Sequence, residues 1–125
     1  MAHLPHSVEL HDSRAVSIAT AEGALVIQLR PAYVHNQGKG WRQDADLIVN
    51  RGSIEGPSVT LPTRIADGNL KTPRGPYHNL LTLPLNDPGP ISLELEFESG
   101  ELVRVEGASI EVRLFGEPQF VEDYA

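Results

Sequence analysis

Two histidines and an aspartate in the first third of the chain have the side-chain types of metal ligands. His11 and Asp12 are adjacent, and His35 ends a run of alternating apolar residues that begins near Ala24. Two imidazoles and a carboxylate can bind a divalent cation if the fold brings them together. We therefore predict a metal site made of His11, Asp12 and His35, with His78 as the candidate fourth ligand.

The same histidines also have a purely structural interpretation. Neither the His-x-His pair typical of cupin barrels nor a His-x-x-x-His spacing occurs in the sequence. On this interpretation His11 and His35 are residues at strand ends that hydrogen-bond to their neighbours. The chain then binds no cofactor, and both alternatives stay open at this point.

A second set of chemically capable side chains lies in residues 32–46, AYVHNQGKGWRQDAD. Aromatic rings beside polar groups can stack on a sugar ring or anchor a protein partner. The predicted binding residues are Tyr33, His35, Trp41, Arg42 and Asp44. The alternative for Trp41, which we favour, is a place in the core, because tryptophan is highly buried on average.

The elements that must position these residues have the period of β-strands. Ile91, Leu93, Leu95 and Phe97 alternate with polar residues, and 11 glycines and 10 prolines interrupt the chain at short intervals. This pattern predicts a single antiparallel β-sandwich, Greek-key or jelly-roll-like, with about 8–10 short strands and little or no helix. We expect one domain over residues 1–125, with residues 1–7 as a flexible N-terminal segment.

Turn residues predict three hairpins, with loops at Glu22-Gly23, at residues 99–101 and at Gly107-Ala108. Each loop keeps the apolar residues of both flanking strands on one face of the sheet. The second loop places Leu95 opposite Val105. Residues 64–79 are rich in turn formers and are predicted to be a long loop with one short extended piece.

Charge and composition exclude several classes of partner. The net charge of -7 argues against nucleic acid, because phosphate binding needs a basic surface, and against attachment to anionic membranes. The absence of cysteine excludes disulfides and thiolate chemistry. Since the N-terminal residues contain no apolar leader, we expect a cytoplasmic protein.

The segments LHDSR, AYVH, GW and GEPQFVEDYA together resemble small bacterial all-β proteins of the YxiG-like type, some of which occur near polymorphic-toxin loci. The resemblance implies a non-enzymatic, immunity-like role in which the chain binds and neutralises another protein. It carries over no catalytic residue.

Our first hypothesis is therefore a non-catalytic binding or protein-interaction domain of a bacterial cytoplasmic protein. Exposed sheet edges also predict self-association into a homo-oligomer. One alternative is a small metal-dependent, cupin-like β-barrel enzyme that uses His11, Asp12 and His35. The other is a carbohydrate-binding module that uses Trp41 and Tyr33 as stacking platforms.

Overall fold

A computed structural model describes residues 6–123 of the chain and contains ten β-strands and no helix in that range. The strands are β1 (Ser7–Glu9), β2 (Arg14–Ala21), β3 (Ala24–Asn36), β4 (Lys39–Asn50), β5 (Ser53–Glu55), β6 (Thr63–Thr72), β7 (Gly75–His78), β8 (Leu80–Thr82), β9 (Asn86–Phe97) and β10 (Leu102–Asp123). No helix of these residues is long and apolar enough to cross a membrane.

All ten strands belong to one antiparallel sheet with the order β2-β6-β9-β10-β4-β3-β1-β8. β2 also pairs with β3, so the pairings of β2, β6, β9, β10, β4 and β3 form a closed circuit. β5 adds to β10, and β7 adds to β6. The predicted all-β, antiparallel architecture is confirmed, and so is the number of strands.

The core lies along the apolar faces of these strands. Leu93, Leu95 and Phe97 of β9 are buried, as are Val103 and Val105 of β10. The polar residues between them stay half-buried or exposed. Alternation of this kind places one face of each strand against the core, which is the main source of stability in a domain of this size.

The N-terminal segment is only partly described, because residues 1–5 lie outside the described range. Ser7, which the predicted flexible segment included, is the first residue of β1 and is fully buried. The backbone carbonyl of His6 accepts a hydrogen bond from the amide of Leu83, at 2.8 Å.

Two of the predicted hairpins can be compared directly with the structure. The Glu22-Gly23 turn is confirmed, with Ile18 opposite Ile27. The loop predicted at residues 99–101 is displaced: residues 98–100 form the loop, and Leu95 lies opposite Val103. This register differs from the predicted one by two residues, so it keeps the apolar residues on the same face, and the alternation of the sequence could not distinguish the two.

The third hairpin, at Gly107-Ala108, is wrong. β10 continues through these residues, and its register against β9 shifts between Gly107 and Ser109, which marks a β-bulge. A Cβ atom on Gly107 would lie 2.3 Å from Cγ1 of Val49. Glycine is therefore needed here for a close approach between strands, whereas the sequence suggested a turn.

The long loop predicted for residues 64–79 is also wrong. β6 and β7 form a hairpin in which Thr72 lies opposite Gly75, leaving Pro73 and Arg74 as a two-residue loop. Pro73, Gly75 and Pro76 lie at or beside this tip, whereas Asp67, Gly68 and Asn69 lie within β6. β7 has only four residues, and turn formers interrupt the apolar residues of β6, so the strand pattern of this segment is weak.

Candidate functional site

Four strands lie side by side where the predicted binding residues occur. Glu9 of β1 lies opposite Tyr33 of β3. Arg42 of β4 lies between Tyr33 and Gln119, its neighbours on β3 and β10. Residues directly opposite each other share a face of the sheet. We call this surface the polar face, and it comprises Glu9, Tyr33, His35, Arg42, Gln119 and Glu122.

Glu9 connects the predicted metal ligands to one another. Its Oε1 lies 2.8 Å from Nε2 of His35, and its Oε2 lies 3.5 Å from Nδ1 of His11. Nδ1 of His11 is also 3.2 Å from Oδ2 of Asp12. His35 is buried, whereas His11 and Asp12 are exposed. The predicted residues thus lie close together, but through a carboxylate that sequence reasoning did not single out.

The potential ligand atoms of Glu9, His11 and Asp12 all lie within 4.8 Å of one another. That spacing is compatible with a shared cation, and imidazole with carboxylate is a donor set suited to zinc and related metals. His35 contacts this group through Glu9. Nδ1 of His78 is hydrogen-bonded to the side chain of Asn69, so the candidate fourth ligand is engaged elsewhere.

Several contacts fix the position of Tyr33. Its backbone amide donates to Oγ of Ser13 at 3.0 Å, and that hydroxyl donates to the carbonyl of Glu9 at 2.6 Å. Its ring meets the imidazole of His35 edge-on, with centroids 5.3 Å apart. The phenol donates a hydrogen bond to the carboxylate of Glu122. Tyr33 is therefore a preorganised part of the polar face.

Trp41 lies on the opposite face of the same strands, in a row of apolar cross-strand neighbours. The row is Leu81, Val8, Val34, Trp41 and Phe120. The first three are fully buried, and Trp41 is partly buried against the core. Tyr33 and Trp41, the predicted stacking residues, therefore point to opposite faces of the sheet.

The row ends at an open strand edge. Phe120 is 53% exposed and touches Trp41 edge-to-face, with centroids 5.5 Å apart. The pairing of β10 with β9 ends at Glu111, so within the described residues only β4 flanks residues 113–123 in the sheet. We call residues 115–123 the β10 edge.

The remaining predicted residue, Asp44, lies beside a cleft of about 410 Å³ that Arg42 and Phe115 also line. Oδ2 of Asp44 is 3.9 Å from Nε of Arg30. The guanidinium of Arg30 covers the ring of Phe115, 4.4 Å from its centroid. This cleft joins the polar face to the start of the β10 edge.

A separate polar cluster surrounds the buried carboxylate of Asp87. Oδ2 accepts hydrogen bonds from the hydroxyls of Thr72 and Tyr77, at 2.7 and 2.9 Å. Burial raises the pKa of Tyr77, and the hydrogen bond and negative charge of Asp87 raise it further, while Arg74 opposes the shift. The cluster fastens the β6–β7 hairpin to β9, which is a structural role.

Sequence reasoning missed Glu9, Gln119 and Glu122 as members of the polar face. Glu9 and His35 are 26 residues apart in the chain, and no local spacing links them. The chain matches no protein-family model, no curated protein and no solved structure. The geometry described above is therefore the basis for a functional proposal.

Proposed function

We propose that the protein is a non-catalytic binding domain that holds a basic protein partner at the β10 edge. The observation that carries this proposal is the apolar row that starts in the core and ends at Phe120. This residue is 53% exposed and lies on a stretch of β10 that, within the described residues, pairs with β4 on one side only. A side chain from a partner that packed on Phe120 would extend the row by one place.

The composition of this surface suits protein recognition. Large aromatic residues at the centre of an interface contribute much of its binding energy. Phe120 is held by Trp41 on one side, and Nζ of Lys39 lies 5.8 Å from its ring centroid. Such a preorganised ring loses little conformational freedom on binding.

The charge of the β10 edge favours a basic partner. Glu117, Glu122 and Asp123 lie on this segment, with Glu122 on the polar face and Asp123 3.8 Å from Nζ of Lys39. The whole chain carries a net charge of -7. Acidic surfaces steer basic proteins during association and discriminate against acidic ones. Binding and neutralising such a partner is also the role implied by the resemblance to YxiG-like proteins.

The backbone of the β10 edge favours a different protein over a second copy of the chain. Its register against β4 shifts between Phe115 and Gln119 and again between Phe120 and Glu122, and Pro118 lacks an amide hydrogen. Bulges and prolines disrupt the regular ladder that edge-to-edge pairing needs. Two copies would also bring the same acidic side chains together. We therefore expect a different protein to dock on this edge through side-chain contacts and not by backbone pairing.

The test compares three immobilised forms of the chain: wild type, Phe120→Ser and Leu102→Ser. Leu102 is the matched control, because it is 55% exposed and lies outside the β10 edge. We expect a basic protein from the source cells to bind the wild type and Leu102→Ser but not Phe120→Ser. The bound protein should dissociate as the salt concentration rises.

Three results would overturn the proposal. One is a partner that Phe120→Ser retains, and another is the absence of any binding that depends on Phe120. The third is a dimer, detected by sedimentation equilibrium, that Phe120→Ser dissociates, because the occupant would then be a second copy of the chain.

A second candidate function, divalent metal binding, is favoured by the spacing of Glu9, His11 and Asp12. It would support the metal-dependent enzyme hypothesis. Titration with zinc, followed by native mass spectrometry, should show one bound ion in the wild type and in His78→Ala, and none in His11→Ala. Failure to bind zinc stoichiometrically would leave these residues as an ion-pair network.

A further inference from the structure

Three arginines from three different strands line one cleft beside the polar face. Arg14 belongs to β2, Arg42 to β4 and Arg64 to β6. The cleft has a volume of about 350 Å³, and no residue of the β10 edge lines it. Its lining consists of Asp12, Arg14, Pro31, Tyr33, Arg42 and Arg64.

The fold brings two of these arginines face to face. Arg14 lies directly opposite Arg64 in the two-residue pairing of β2 with β6, which completes the closed circuit of strands. Like charges directly opposite on antiparallel strands repel and destabilise the pairing. Arg42 joins them because it lies opposite Tyr33, whose side chain lines the same cleft.

No carboxylate of the described residues lies within ion-pair distance of these three guanidinium groups, although the chain has 17 acidic residues. Asp12 lines the cleft, but its carboxylate is 3.2 Å from His11. Four other arginines each have a carboxylate within 4.0 Å, namely Arg30, Arg74, Arg104 and Arg113.

We propose that this cleft binds a doubly charged oxyanion of the phosphate class, either inorganic phosphate or the phosphoryl group of a small molecule. Guanidinium groups present paired N–H donors that match the oxygens of phosphate. Three positive charges and one aspartate favour a dianion over a monocarboxylate. The cleft is also large enough for a phosphoryl group with a small organic substituent. No residue of the β10 edge lines this cleft, although Arg42 also lines the neighbouring cleft beside Phe115.

The test is titration of the full chain with inorganic phosphate at constant ionic strength, followed by NMR of the arginine Nε–Hε signals. We expect saturable shifts for Arg14, Arg42 and Arg64. Arg64→Gln should weaken binding about tenfold or more, since it removes a charge-assisted contact. Arg51→Gln is the matched control: Arg51 is exposed, has no described carboxylate partner and lies outside the cleft.

Parallel titrations separate the possible sources of the anion. Tighter binding of a small phosphate monoester than of inorganic phosphate would identify the phosphorylated molecule as the ligand, and equal binding would identify phosphate itself. Citrate that bound as tightly as either would overturn the assignment to phosphate. Equal affinities of Arg64→Gln and Arg51→Gln, or shifts that do not saturate, would overturn the site.

The unfolding temperature of each variant shows whether a loss of phosphate binding reflects a loss of folding. In phosphate-free buffer, Arg64→Gln removes the repulsion from Arg14, so it should unfold at a temperature equal to or above that of the wild type. Phosphate should raise the unfolding temperature of the wild type and of Arg51→Gln, but not that of Arg64→Gln. A lower unfolding temperature for Arg64→Gln without phosphate would contradict the argument from repulsion.

Discussion

Trp41 and Phe120 are cross-strand neighbours whose rings meet edge to face, with centroids 5.5 Å apart and ring planes at 77°. This contact lies where the apolar interior reaches the surface. Trp41 packs against the core, whereas Phe120 is 53% exposed. The pair therefore connects the stability of the domain to the surface at which we place its partner.

The contact predicts that Phe120 shields Trp41, the only tryptophan of the chain. Phe120→Ala should shift the emission of Trp41 to longer wavelength and increase its quenching by acrylamide, because water then reaches the indole. Leu102→Ala, at a similarly exposed leucine, should change neither quantity. Emission and quenching that stay constant in Phe120→Ala would show that the two rings do not pack in solution.

Glu9 is expected to stabilise the fold through His35. Glu9→Gln removes the negative charge 2.8 Å from the buried imidazole and should lower the free energy of unfolding by about 1–3 kcal/mol. Glu94→Gln is the control, because Glu94 contacts Arg104 at 3.8 Å on the surface, where an ion pair is worth about 0–1 kcal/mol. The free energy of unfolding is measured with urea. If Glu9→Gln and Glu94→Gln lower it by the same amount, Glu9 has no special role in stability.

Tyr77 should make stability fall at alkaline pH. Because its pKa is raised above the ordinary value of about 10, the folded state holds the phenolic proton more tightly than the unfolded chain does. The contribution of Tyr77 to the free energy of unfolding is complete below pH 10 and is lost as pH rises through the raised pKa. Tyr77→Phe lacks this contribution at every pH.

The measurement is urea unfolding of wild type and Tyr77→Phe at pH 7 and above pH 10. At pH 7 the variant should be less stable by about 1–2 kcal/mol, since it loses the hydrogen bond to buried Asp87. That difference should narrow above pH 10. A difference that stays constant with pH would contradict the raised pKa.

Gly107→Ala tests the close approach at the bulge of β10. The added methyl group would meet Cγ1 of Val49 at 2.3 Å and the carbonyl oxygen of Asn50 at 2.8 Å. Relieving such overlap should cost about 1–3 kcal/mol in the free energy of unfolding. Ala108→Ser, at the exposed neighbouring position, should be nearly neutral. If Gly107→Ala leaves the free energy of unfolding unchanged, β4 and β10 lie further apart than described here.

Alternation in the sequence was enough to predict an antiparallel all-β chain, because long strands such as β9 and the first part of β10 alternate apolar and polar residues. It was not enough to predict register. Placing Leu95 opposite Val103 or opposite Val105 gives the same apolar face, so only the turn geometry decides. Gly107 shows the same limit, since a glycine between two alternating segments is equally compatible with a turn and with a bulge.

The candidate site was predictable only in part, for a similar reason. Tyr33, His35 and Arg42 share the polar face because they lie close together on two paired strands. Glu9 reaches His35 only through the pairing of β1 with β3, and Arg14 meets Arg64 although the two are 50 positions apart in the chain. Long-range pairing of this kind leaves no spacing in a single sequence that would reveal it.

The most direct test of the partner surface is photocrosslinking from position 120. A benzoylphenylalanine residue in place of Phe120 should, on irradiation in source cells, form a crosslink to a basic protein, and the same residue at position 102 should not. Mass spectrometry then identifies the crosslinked peptide. No crosslink at position 120, or the same crosslinks from both positions, would contradict the proposal that the β10 edge is where this domain holds its partner.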